Sequence, residues 1–185
     1  MSSFSRRNFA LGALALTGLG ACANGIGSNG ASMIDARVSE TLRYMYANYP
    51  QTQGLSQQAA GMLVMPLVTE VGLGIGGSYG RGALQVGGTS VDYYSSSSAS
   101  AGLQIGGQQY SHVLFFMTQD ALLDFRRSPG WALGADVEYA FVDAGETIRA
   151  ETTTSRAPVI AVVFGQAGFR VGVSLEGTKY TRIIP

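Results

Sequence analysis

Hydrophobic positions change their spacing twice along this chain. Phe9 to Ala21 is one unbroken apolar run of small and large side chains. It is too short to span a hydrocarbon core of ~30 Å, which takes roughly 20 helical residues. Ser5, Arg6 and Arg7 precede it, and paired arginines ahead of a short apolar stretch read as a twin-arginine-type export signal. Residues 33–49 then repeat at helical spacing, with Ile34, Val38, Leu42, Met45 and Tyr49 on one stripe and Pro50 as the stop. The other face carries Asp35, Arg37, Glu40 and Arg43, whose charges cancel, so this helix is expected to cover a core. Residues 51–60 suggest another short helical piece.

From Gly61 onward the pattern becomes short β-like runs separated by Gly and Ser. Strands are expected at 62–65 (stopped by Pro66), 71–79, 81–86, 91–94, 103–109, 112–117, 131–142, 158–164, 169–175 and 180–184. Gly87-Gly88 marks a hairpin turn. One helix interrupts the series: Thr118 is its N-cap and Ala121, Leu122 and Phe125 its apolar face up to Arg127. Successive strands without alternating helices predict an α+β fold. Its form is a strongly curved antiparallel β-sheet or small β-barrel flanked by a few helices.

Composition narrows the chemistry. Among 185 residues, 12 Lys and Arg balance 12 Asp and Glu, and Lys179 is the single lysine. A nucleic-acid partner is excluded as an expectation, because neutralising phosphates needs a basic excess. One cysteine, Cys22, excludes a disulfide framework, and with one histidine, His112, no zinc site of Cys and His is expected.

The position of Cys22 carries more. Leu19-Gly20-Ala21-Cys22 resembles the bacterial lipobox, in which the leader is cut before a cysteine that carries lipid. A thiol is the nucleophile that accepts a diacylglyceryl group, and several acyl chains anchor a protein almost permanently at about 0.8 kcal/mol per buried CH₂. Three segments follow: a lipoprotein signal peptide at 1–21, a Gly/Asn/Ser-rich linker at 22–32 and a folded domain at 33–185. Ala23 after the cysteine resembles the sorting pattern of the outer membrane, facing the periplasm.

Glycine makes up 26 of the residues, about twice the usual share. Gly72, Gly74 and Gly76 alternate, so in a strand they share one face, and Gly77, Gly80 and Gly82 extend the series. A face without side chains implies either tight curvature with close packing or a groove that admits a lipid. Residues 72–77 fit G-x-G-x-x-G literally, yet Ser78-Tyr79-Gly80-Arg81-Gly82 follows and cannot open the helix a dinucleotide site needs. No cofactor is expected.

Catalytic candidates are few. His112 has no G-x-S-x-G-type nucleophile beside it and reads as a satisfied strand-end histidine. Asp136 and Glu138 share one side of an expected strand, as a glycosidase pair would, and so do carboxylates on any solvated face. Asp120 and Asp124 fall on the solvent side of the short helix. Trp131 beside Arg126 and Arg127 suits either a membrane interface or a barrel plug, and Tyr93-Tyr94 with Ser95 to Ser98 offers hydroxyls to head groups or to water.

The stretch from Ala60-Gly61-Met62-Leu63-Val64-Met65-Pro66 through Gly82 resembles the start of the SYLF domain. That domain has a G-V-L-V-F-P strand followed by a Gly-rich G-G-x-x-G-x-G segment. Residues 76–82, Tyr93-Tyr94-Ser95, the Gly102 to Gln108 segment and Leu175-Glu176-Gly177-Thr178-Lys179 agree in order, so the resemblance covers roughly 33–185. It implies a non-catalytic domain that binds lipid, phosphoinositide or another anionic phospholipid, and bacterial members are often lipoproteins. Some eukaryotic members are linked to actin, a partner not met outside the cytoplasm. The resemblance makes Arg81, Lys179 and Arg182 the head-group candidates. The chain departs from the family in its charge-balanced first helix and in Glu70, where a Lys is common. The resulting expectation is a membrane-anchored, lipid-binding lipoprotein. The alternative is an envelope interaction module that binds a protein and no lipid.

Overall fold

The computed structural model describes residues 28–134, 137–141, 157–165, 175 and 177–185. The expected export signal with Arg6 and Arg7, the expected lipid acceptor Cys22, Asp136 and all of the expected strand at 169–175 except Leu175 lie outside the described residues. Helix α1 spans Gly30–Asn48 and α2 spans Thr52–Gln58. Two long strands follow, β1 at Gly61–Val86 and β2 at Thr89–Phe116. Helix α3 occupies Gln119–Arg127, and the remaining strands are β3 (Trp131–Ala132), β4 (Val137–Phe141), β5 (Val159–Phe164) and β6 (Lys179–Ile183).

The sheet is built on β2. Strand β1 pairs antiparallel along nearly its whole length, from Gly61 opposite Phe116 to Val86 opposite Thr89. On its other edge, β2 holds β6 near its start (Tyr93 opposite Ile183) and β5 near its end (Phe116 opposite Val159). Strand β3 extends β6 and β4 extends β5, the latter in parallel. The fold is α+β with a strongly curled and largely antiparallel sheet, as the pattern predicts; the parallel β4–β5 pair is the exception.

Two strands of 26 and 28 residues replace the series of short runs expected between Met62 and Met117. Pro66 does not stop β1. Proline cannot donate to a ladder, but β1 is paired with β2 alone and the register shifts between Met65 and Val68, where an unpaired position is tolerated. The Pro66 carbonyl accepts a 2.7 Å hydrogen bond from the buried Ser111 hydroxyl. Gly87 and Gly88 turn the hairpin with φ of 59° and 80°, the two positive values a type I′ turn requires.

The period of two divides the buried residues between faces. On one face, Met62, Val64, Val113, Phe115, Ile160, Val162 and Phe164 meet α1 and α2 through Ile34, Val38, Met45, Tyr49 and Leu55. The interval from Ile34 to Met45 is helical, as expected, although Thr41 is buried where Leu42 is only half-buried. On the other face, Leu63, Met65, Leu84, Leu114, Phe116, Ala161 and Val163 fill the inside of the curl. Strand β5 is buried on both faces, which explains its uninterrupted apolar sequence. Helix α3 closes the inner core. Thr118 Oγ1 accepts from the Ala121 N–H as its N-cap, and Phe125 packs tilted against Tyr94 and Phe116 and edge-on to Trp131 at centroid distances of 4.7, 4.7 and 5.4 Å. Trp131 therefore serves as the plug of this core.

The curl brings β1 back onto itself. A Cβ on Gly82 would collide with the Val64 carbonyl oxygen and the Met65 sulfur, and one on Gly80 would stand 2.8 Å from Val68 Cγ2 and 2.9 Å from the Leu67 oxygen. Gly82→Ala is expected to cost roughly 1–3 kcal/mol, as overpacking does. Gly54, inside α2 with open space around it, is expected to accept Ala with a gain of up to about 1 kcal/mol. Urea unfolding monitored by circular dichroism checks both signs.

Candidate functional site

The register assigns each basic candidate to a face. Residues directly opposite in a ladder point the same way. Lys179 lies opposite Ser97, which lies opposite Tyr79; Arg81 lies opposite Ser95, which lies opposite Thr181. Lys179 and Arg81 thus share the outer face with Tyr79, Ser95, Ser97 and Thr181, next to the part that α1 covers. Lys179, Tyr79 and Ser97 are exposed, and Arg81, Ser95 and Thr181 are half-buried. The Lys179 stem runs beside Gly130, where a Cβ would strike its Cε. Two cations framing a row of hydroxyls can donate hydrogen bonds to an anion's oxygens.

Arg182 belongs elsewhere. It lies opposite Tyr94 and Gly82, on the inner face at its rim. Its Nη2 donates to the Arg126 carbonyl at 3.2 Å and to the Tyr94 hydroxyl at 3.4 Å, and pairs with Asp92 at 3.4 Å. Asp92 is held more closely by Arg126, at 3.0 Å. Arg182 is therefore a clasp between β6, β2 and α3, and it does not join the other two candidates.

The glycines divide in the same way. Gly80 and Gly82 are close-packing positions, and Gly77 would meet the Ser98 carbonyl at 3.1 Å. Gly72 lies opposite Gly106, Gly74 opposite Gly102 and Gly76 opposite Ser100, with a register shift between Leu73 and Gly74. That shift breaks the flat ladder on which a continuous glycine groove would depend.

His112 is fully buried inside the long strand β2, opposite Val163 and one pair from the end of the β2–β5 ladder, rather than at the start of a strand. Its Nε2 shares a 2.8 Å hydrogen bond with the Tyr180 hydroxyl, while Nδ1 has no hydrogen-bond partner among the described residues. Burial pushes its pKa down to about 3. Tyr110, in ring contact at 6.0 Å, is pushed up to about 12, first by burial. Glu138 pairs through its backbone with Ile160, and Asp120 and Asp124 are exposed, as expected from the helix pattern. No cluster of three or more metal-ligating side chains occurs among the described residues. None of the helices among them is long and apolar enough to cross a membrane.

Asp35 is the polar residue that helical periodicity misplaces. Assigned by spacing to the solvent face, it instead accepts hydrogen bonds from the Ser90 hydroxyl at 2.7 Å and the Tyr93 hydroxyl at 2.8 Å, bolting α1 to the start of β2. Burial first, and then the Asp35 hydrogen bond, raise the Tyr93 pKa. The sequence signal available was Tyr93 within a hydroxyl-rich run, which needs an acceptor once a helix covers it.

Residues 97–182 match the family model described as Ysc84: Las17-binding protein actin regulator. This stretch is therefore similar to the SYLF domain over 97–182. It holds most of β2, α3 and the strands that follow, including Ser97, His112, Trp131, Lys179 and Arg182. The alternating glycines and Arg81 precede it. No curated protein matches the chain.

The depressed His112 pKa makes stability pH-dependent with a definite sign. The unfolded chain protonates this ring near 6.5 while the folded one resists to about 3, so stability is complete above 6.5 and declines as pH falls toward 3. Between pH 7 and 5 the expected loss is about 2 kcal/mol. His112→Leu should flatten that interval in urea titrations at the two pH values.

Proposed function

We propose that the protein is a lipid-anchored module of the bacterial envelope whose SYLF sheet binds anionic phospholipid head groups without catalysing a reaction. The supporting observation is the outer-face arrangement of Arg81 on β1 and Lys179 on β6 to either side of Ser95 and Ser97 on β2, with Thr181 next to Lys179 along β6. Phosphate offers several acceptor oxygens, and a divided pair of cations with hydroxyls between them matches that chemistry better than it matches a neutral ligand. Cys22 carries the anchor in this reading, through its lipobox-like context, with Arg6 and Arg7 directing export. Localisation is then the outer membrane, facing the periplasm.

A second reading takes its support from the family description, which names a protein partner, Las17, and actin regulation. On this chain it becomes a protein-binding module of the envelope, with actin excluded by export. The two readings diverge on vesicles. Flotation with phosphatidylglycerol-containing vesicles is expected to weaken several-fold for Arg81→Ala and Lys179→Ala. Unchanged flotation of both would favour the protein partner. Intact mass measurement should show a chain beginning at acylated Cys22; an uncleaved, unmodified N-terminus would overturn the anchor.

A further inference from the structure

Three of the exposed large apolar side chains, on α1, on β2 and just after β6, belong to elements that meet at one corner of the domain. Met33 is 55% exposed, Val91 42% and Ile184 69%. Their proximity follows from the contacts around them. The Ser28 hydroxyl donates to the Pro185 carbonyl at 2.9 Å, and Gly30 packs so tightly on Pro185 that a Cβ would stand 2.7 Å from its carbonyl carbon. The first turn of α1, with Met33, therefore sits on the end of β6 beside Ile184. Asp35, two residues after Met33, accepts from Ser90 and Tyr93, which bracket Val91. Arg37, one helical turn from Met33, is exposed on the same side of α1.

The segment that carries Cys22 joins the described domain at Ser28, in this corner. Five residues separate the two positions, a reach of at most ~22 Å even fully extended. An acylated Cys22 would hold this end of the domain, and no other, within reach of the bilayer. We infer that the corner formed by Met33, Val91 and Ile184 is a membrane-contacting surface that dips into the lipid interface and sets the orientation of the domain. Three partly exposed side chains are too few to recruit a protein from solution, but a short tether makes the contact intramolecular and supplies a high effective concentration. Arg37 then stands at head-group level with its aliphatic stem along the apolar surface. The outer face with Arg81 and Lys179 lies on β1 and β6, alongside this corner.

This inference rests on the lipid anchor proposed above, and the experiment separates the two. Acylation consumes the Cys22 thiol, so a cysteine introduced into the mature lipoprotein is its single thiol. Val91→Cys and Ile184→Cys, labelled with an environment-sensitive fluorophore, are compared with Val71→Cys, an exposed apolar site far along β1 from the hairpin turn. The proteins are reconstituted into phosphatidylethanolamine–phosphatidylglycerol vesicles. At positions 91 and 184 the emission is expected to shift to the blue and iodide quenching to fall several-fold, with neither change at 71. A Met33→Ser/Ile184→Ser background should abolish the protection at 91 while flotation persists. Flotation with equal quenching at all three sites would overturn the corner and leave the anchor standing. Failure to float, with Cys22 unmodified, would overturn both.

Discussion

The contact between the two limbs of β1, where Gly80 and Gly82 press against Val64 to Val68, determines most of this architecture. A strand of 26 residues paired with one of 28 would form a flat ribbon far longer than the domain unless it bent. The bend exists because nothing projects from positions 80 and 82, so one limb can rest on the backbone of the other. Once the ribbon has curled, its inner face becomes an enclosed core that needs only α3 and Trp131 at the open end. Its outer face is left half for α1 and half for solvent. The function proposed for the outer face therefore depends on packing at positions that never touch a ligand.

That dependence also decides between the two meanings of the glycine-rich segment. Groove and curvature make the same pattern in sequence, since both require a strand face without Cβ atoms. They separate only when a neighbour is found. At Gly80 and Gly82 the neighbour is the strand itself, so curvature is the reason for those two glycines. Gly72, Gly74 and Gly76 lie around a register shift instead, which interrupts the plane a bound chain would follow.

Much of the fold was legible because burial imposed simple periods. Ile34, Val38 and Met45 announce the covering helix, Thr118 its cap-bearing counterpart, and Gly87-Gly88 the hairpin turn. The length of the strands was not legible, because Pro66 and the glycines are ordinary stop signals and here sit inside bulged or self-crossing ladder. The tertiary partner overrides the local signal at each of these points. The same holds for the polar residues. Arg182 looks like Arg81 in sequence, but one position along a strand reverses its face, and Asp92 with Tyr94 then claims it. Asp35 illustrates the converse error, because a charge placed on a solvent face by helical spacing becomes an acceptor when a second element approaches it.

These reassignments give the domain an internal polarity that composition conceals. With equal numbers of acids and bases there is no net field to steer it toward an anionic surface. What distinguishes one side is how the charges are used. Asp35 and Asp92 are bound to α1–β2 and α3–β6 contacts, respectively, within the fold. Arg81 and Lys179 stand in rows of hydroxyls on the outer sheet face. Two of the acids are thus committed to contacts between elements, while Arg81 and Lys179 share the outer sheet face. Recognition of the proposed kind is short-ranged and would rely on the proposed tether to remove the need for long-range attraction. In the proposed reading anchor and sheet act in complementary ways, since the first would supply concentration and the second hydrogen-bond donors for phosphate oxygens.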